Sequence, residues 1–158
     1  MINKTLTLDL ITAKKLYPTA SSELKIIFEE NFGKKSLIDK LIDRITTIEE
    51  VYEELGRKMP TLKDYKFLPE KKQVKALNTQ YIEDISELFN EEWVPNFLNP
   101  KEYKYYPYFE RNTSSWLVSY CGYRNYYSFM GSGFYYKDSE IALYCGNQFL
   151  DIYSKVLD

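Results

Sequence analysis

The stretch EKKQVKALNTQYIEDISELFNEEW, residues 70–93, constrains the fold more than any other part of this 158-residue chain. Val74, Leu77, Tyr81, Ile82, Ile85, Leu88 and Phe89 recur at steps of three and four, so a helix gathers them on one face. Lys71, Lys72, Lys75, Glu83, Asp84 and Glu87 fall mostly outside that stripe and read as its solvated side. Pro69 stands at the start, where a helix tolerates proline. A helix of about 20 residues runs about 30 Å, the diameter of a small domain, so this segment is expected to be a spine for the other elements.

Residues 1–93 as a whole read as helical. LDLITAKKLY runs to Pro18, and SSELKIIFEENFG starts at a serine cap and stops at Gly33. Leu37, Ile38, Leu41, Ile42 and Ile45 have helical spacing behind Ser36, with Asp39 at the capping-box position. TTIEEVYEELG repeats that logic: Thr46 or Thr47 caps it, Ile48, Val51, Tyr52 and Leu55 form the stripe, and Gly56 ends it. RKMPTLKDYKFLP, between Pro60 and Pro69, reads as a surface connector.

After Trp93 the pattern changes. Pro95, Pro100 and Pro107 call for an extended, irregular path, and residues 101–158 hold 12 of the 16 tyrosines. SSWLVSYCGY and NYYSFMGSGFYYK are rich in strand formers, and GSG at 131–133 suits a hairpin turn. SEIALYCGNQFLDIYSKVL closes the chain as a helix, with Ala142, Cys145, Phe149, Ile152 and Val156 on its inner row. Gly146 within it reads either as a close approach by another element or as a tolerated glycine. The expectation is a single α+β domain over residues 1–158. It has a helical part (1–93), then an antiparallel sheet of two or three strands and a C-terminal helix packed on it (94–158).

Composition removes several function classes. No histidine is present, which takes away the commonest general base, the Ser-His and Cys-His pairs and the usual transition-metal ligand. Cys121 and Cys145 are 24 residues apart with no partner set for zinc, and both read as reduced core residues. A net charge of -2 neither steers nucleic acid nor marks an acidic mimic. No apolar run reaches the roughly 18 residues of a membrane span, and the N-terminus lacks a signal-peptide pattern, so an intracellular protein is expected. Adjacent acids such as Glu49 and Glu50 point about 100° apart on a helix and do not converge as a catalytic pair. No cofactor or metal is expected, and no enzymatic activity.

Several blocks carry a resemblance: LTLDLITAKKLYPTASSELKIIFEENFG, ITTIEEVYEELG, LPEKKQVKALN, NEEWVPNF, YKYYPYF and YYKDSEIALYCGNQFLDIY. In order and spacing, nearly end to end, the chain resembles a family of small proteins of bacteriophages, prophages and related mobile elements of gut and marine bacteria. It departs from that pattern after Pro95, with Asn96 and Phe97 where relatives have an acidic residue and a tryptophan. The resemblance implies a mobile-element origin and a helical N-terminal half; it brings no catalytic residues to carry over.

The candidate surface is aromatic. Tyr105, Tyr106, Tyr108 and Phe109, with Trp116, Arg124, Tyr126 and Tyr127, are expected to bind a partner, because rings give large contact area at small entropic cost. The alternative is that alternate rings face the core and the rest cover a small sheet. The expected function is a non-enzymatic interaction module acting by occlusion on a bacterial host protein in the host cytoplasm. An inhibitor of a nuclease-based defence, in the manner of an anti-CRISPR protein, is its specific form. Two alternatives stand beside it. A nucleic-acid-binding accessory protein would use Phe134, Tyr135 and Tyr136 as stacking rings, but few basic residues surround them and nucleic acid is not expected as the primary ligand. A virion or assembly component would need a self-complementary surface.

Overall fold

The structure is a computed structural model that describes residues 8–113, 115–124 and 132–158. Among these it contains seven helices and a two-stranded antiparallel sheet, the expected α+β class, with helix at the C-terminus. Contacts divide the chain into two units, Met1–Ile45 and Thr46–Asp158.

In the first unit, α1 (Leu10–Leu16) starts at Asp9, whose carboxylate accepts from the Thr12 N–H at 2.9 Å. A 3₁₀ turn, Tyr17–Thr19, carries Pro18 and redirects the chain into α2 (Ser22–Phe32), capped by Ser21. Gly33 ends α2 at φ 76°, a left-handed value that glycine adopts without strain. Ala13, Tyr17, Phe28 and Leu37 form the core here. The Tyr17 hydroxyl donates to Glu29, and its pKa is pushed up to about 12 by burial and by that carboxylate.

The helix expected from Ser36 onward is not formed. Instead α3 (Lys34–Leu37) is four residues long and has Ser36 inside it, Ile38 and Lys40 are extended, and Leu41–Asp43 is a 3₁₀ turn. Asp39 does not cap; its carboxylate lies 2.6 Å from Lys14 Nζ. Burial of Leu37 against α1 and α2 outweighs the local helical pattern.

In the second unit, α4 (Ile48–Leu55) begins with a complete capping box between Thr47 and Glu50 and ends at left-handed Gly56. The spine is α5 (Glu70–Asn90), with Leu77, Ile82, Ile85, Leu88 and Phe89 buried. Burial is worth about 1.5–3 kcal/mol for each such side chain. Val74, expected on the buried face, is exposed near the helix start. The solvated side also loses a member: Asp84 is buried, accepting hydrogen bonds from the Tyr52 hydroxyl and from Gln80 Nε2 at 3.2 Å. Arg57 reaches across the connector and forks onto Glu87 at 2.8 and 2.5 Å, with Asp84 3.5 Å away. The connector itself carries a 3₁₀ turn, Leu62–Tyr65, and is tied to the spine where Tyr81 donates to the Pro60 carbonyl at 2.8 Å.

The sheet is β1 (Lys104–Arg111) paired antiparallel with β2 (Trp116–Arg124). A bulge at Ser119 shifts the register between Tyr108↔Tyr120 and Phe109↔Val118. On its other side β1 meets residues 135–136 through one bridge, Tyr105↔Tyr136. That segment is held from the spine: Ser86 Oγ and Asn90 Nδ2 donate to the Tyr135 carbonyl at 2.9 and 2.6 Å, and Asn90 Oδ1 accepts from Lys137 N–H at 2.9 Å. Of the GSG triplet, Gly131 lies outside the described residues, and Ser132–Phe134 form a 3₁₀ turn. The strand expected over 125–130 also lies outside them.

The C-terminal helix is broken in two, α6 (Ser139–Gln148) and α7 (Leu150–Leu157), at Phe149, whose φ of -110° and ψ of 27° leave the helical region. The break coincides with burial of the Phe149 ring 6.4 Å from Phe89. Gly146 is a close-approach site: a Cβ there would stand 2.5 Å from Pro107 Cβ and 3.2 Å from Val118 Cγ2. Cys121 and Cys145 are both free thiols. Burial pushes Cys145 up, while Tyr136, also buried, donates or accepts at 2.7 Å with Tyr153.

Candidate functional site

Pro107 lies in the middle of β1, a position that normally costs a ladder bond. It is tolerated because of how β1 is oriented. The N–H and C=O of Tyr105 both bond Tyr136, at 3.0 and 2.7 Å, so Tyr105 turns its backbone away from β2. Two residues on, Pro107 does the same, and its missing N–H falls on the side without a β2 partner. The hairpin therefore keeps its register through a proline.

Strand alternation then divides the candidate rings. Tyr106 and Tyr108 share one face, while Tyr105, Pro107 and Phe109 share the other. On the first face Tyr108 stacks on Tyr120, with centroids 4.5 Å apart and an angle of 18°, and the two are 40% and 51% exposed. Removal from water and the neighbouring Tyr108 raise the Tyr120 pKa. Tyr106 turns inward over Gly122 and meets Tyr135 edge-on at 5.8 Å; a Cβ at Gly122 would collide with its ring.

On the second face Tyr105 joins Tyr103 and Tyr123, whose rings meet edge-to-face at 4.9 Å and are 48% and 60% exposed. Phe109 packs inward on Tyr153 at 4.8 Å. Trp116 is half-buried; its Nε1 donates to Asp158 at 3.0 Å, and the Arg111 guanidinium sits 5.5 Å over its ring. Arg124 is exposed at the end of β2, opposite Lys104. Tyr126 and Tyr127 lie outside the described residues.

The hairpin thus offers two aromatic clusters, Tyr108–Tyr120 and Tyr103–Tyr105–Tyr123, instead of one row. Tyr103, Tyr120 and Tyr123 were not among the sequence candidates. Pairing register, which alternation within β1 alone does not reveal, brings the β2 residues into the clusters. Beside the hairpin, Tyr106, Pro107, Phe109 and Trp116 meet Ile82, Tyr153 and Val156 around an apolar cavity of about 360 Å³.

Behind the rings lies a buried cation. Lys104 is fully buried, with Nζ donating to the carbonyls of Asn99 and Glu102 at 3.1 and 2.9 Å and lying 3.2 Å from the Glu102 carboxylate. It also stands 5.6 Å over the Phe97 ring. These contacts tie residues 96–103 to the start of β1. Tyr135 and Tyr136, weighed as base-stacking rings, are 1% and 0% exposed and present no face to a base.

Among the described residues no group of three or more Cys, Asp and Glu could hold a metal ion, and no helix is long and apolar enough to cross a membrane. No family model, curated protein or solved structure matches the chain.

Proposed function

We propose that this chain is a phage- or prophage-derived interaction protein that acts in the bacterial cytoplasm by binding a host protein and occluding its working surface, without catalysing a reaction. The observation that carries this reading is the exposure of four tyrosines, Tyr103, Tyr108, Tyr120 and Tyr123, at 40–60% on one short hairpin. Rings held by stacking lose little entropy on binding and supply large desolvated area, the properties of interface anchors. The resemblance of the YKYYPYF and CGNQFLDIY blocks to phage proteins supports the setting. A nuclease of a host defence system is the target class that occlusion by a small rigid protein would suit.

The test is a phage challenge of bacteria carrying an active nuclease-based defence, with and without this protein. Plating should rise with the wild type and return to the defended level with Tyr108→Ala/Tyr120→Ala, a variant whose thermal melt stays close to wild type. Affinity capture from the same cells should retain the nuclease with the wild type and release it with the variant. No effect on plating across defence systems, or equal effects of both proteins, would sink the reading.

A further inference from the structure

The charge of this chain is not spread evenly. Residues 57–75 carry seven of its 21 basic side chains against two acids, Asp64 and Glu70. Arg57 is engaged by Glu87 at 2.5 Å. Asp64 accepts from the Thr61 N–H and hydroxyl at 2.7 and 3.0 Å. Those bonds first, and then the charges of Lys58 and Lys63, hold its carboxyl below the usual range, so Asp64 offsets those two cations. Glu70 has Gln73 and Val74 at the spacings of a helical ion pair and neutralises no lysine on α5. Lys66, Lys71, Lys72 and Lys75 are exposed and enter no salt bridge among the described residues. The net charge of -2 for the whole chain does not cancel this patch, because salt screens charges beyond about 8 Å at physiological strength.

An open ring stands among these lysines. Tyr65 and Phe67 stack with centroids 6.3 Å apart at 27°, and Phe67 is 79% exposed. Tyr65, Leu68, Lys72 and Lys75 line a groove of about 460 Å³ that has Glu83 at its other end. Lys75 and Glu83 are two turns of α5 apart, about 12 Å, so the acid lies away from the basic end. The platform is fixed in advance: Gln73 Nε2 donates to the Leu68 carbonyl at 2.9 Å, Tyr81 holds Pro60, and Thr61 and Asp64 cap the turn between them. Little ordering is left to oppose binding.

We infer that this surface binds a single strand of nucleic acid without regard to sequence, a base lying on Phe67 and the adjoining phosphates drawn to Lys66, Lys71, Lys72 and Lys75. Around Phe134, Tyr135 and Tyr136 basic residues are few and the two tyrosines are buried; here the cations and the open ring occur together. An acidic peptide would answer the lysines but offers no flat ring at each step, and a duplex keeps its bases stacked within itself. The inference does not rest on the host-protein reading, which concerns the hairpin tyrosines.

Fluorescence anisotropy of a labelled oligo(dT) of about 12 nucleotides should show saturable binding to the full chain at about 50 mM salt. With three or four phosphates neutralised, log K should fall against log salt with a slope of about −2 to −3, at ~0.7 per contact. Lys72→Gln/Lys75→Gln should reduce that slope by about 1.4. Phe67→Ala alters an exposed ring and should melt close to wild type, yet weaken binding about 5- to 150-fold with the slope unchanged, and Phe67→Trp should keep the affinity. Tyr108→Ala/Tyr120→Ala should bind oligo(dT) as the wild type does, which separates this site from the host-protein reading. No binding at low salt, equal affinity of Phe67→Ala and wild type, or a polyglutamate peptide or a DNA duplex that binds as tightly as the single strand would each overturn the inference.

Discussion

Tyr52 on α4 donates its hydroxyl hydrogen to the buried carboxylate of Asp84 on α5, so the joint between two helices is closed by a charge with a neutral donor. Gln80 adds a second donor, and the Arg57 guanidinium approaches from the exposed side. Removing one partner of a buried hydrogen bond to a charged group costs more than the net worth of the bond, because the other is left without water. Tyr52→Phe should lower stability by about 1.5–3 kcal/mol, and Asp84→Ala by a similar amount. Asp84→Asn keeps an acceptor oxygen and should cost less than either. Urea unfolding followed by circular dichroism distinguishes the three.

High pH should unfold the chain before its buried tyrosines ionise freely. Tyr52, Tyr136 and Tyr153 are held well above the ordinary value by burial first, and Tyr17 at about 12 by burial and Glu29. A folded pKa above the unfolded one gives stability that is complete below the unfolded value near 10 and is lost as pH rises beyond it. The buried tyrosines should ionise in one cooperative step of tyrosinate absorbance that coincides with loss of helix. A single smooth titration with helix intact at pH 12 contradicts this picture.

The Arg57–Glu87 fork should weaken in acid. Hydrogen bonding and charge from Arg57 depress the Glu87 pKa below the usual value of 4.5. Its contribution is therefore present above that value and lost as pH falls through the folded pKa. Both partners are about half exposed, so the effect is small, within about 1 kcal/mol. Glu87→Gln should narrow the difference in melting temperature between neutral and mildly acid pH, and high salt should do the same.

Gly146→Ala should destabilise by about 1–3 kcal/mol, since its new methyl group would overlap the Pro107 ring, which cannot rotate aside. Gly56→Ala meets nothing within 4 Å, and its cost comes instead from the left-handed backbone at φ 63°. Thermal melts of the two variants separate packing from conformational cost, and a Pro107→Gly background, which removes the Cβ that Gly146→Ala would strike, should relieve only the first.

What the sequence made legible was local. The caps at Ser21, Thr47 and Pro69 and the stops at Gly33 and Gly56 act through their immediate neighbours, and the structure places those helix ends close to where the residues indicate. The run from Ser36 had helical spacing but was overruled by the demand for Leu37 in the core, and the C-terminal pattern gave no sign that burying Phe149 would break the helix. Asp84 is a different case, because it stands on the Leu77–Tyr81–Leu88 row at steps of three and four. An acid on an apolar stripe signals a buried carboxylate seeking donors. The aromatic clusters depend on the register of β2 against β1, a relation between segments that no single stretch contains.

The bridge from Tyr105 to Tyr136 also has a kinetic meaning. The hairpin joins near neighbours in the chain, and such units close in about 1–10 μs. The contacts of Ser86 and Asn90 with Tyr135 and Lys137 span 45 to 49 residues and enclose the whole hairpin in one loop. Long-range closure is the slower event, because loop entropy is lost before any contact compensates it. The hairpin is therefore expected to form before it docks, and Asn90, which holds the returning segment by both its amide nitrogen and its oxygen, belongs to the later, long-range closure.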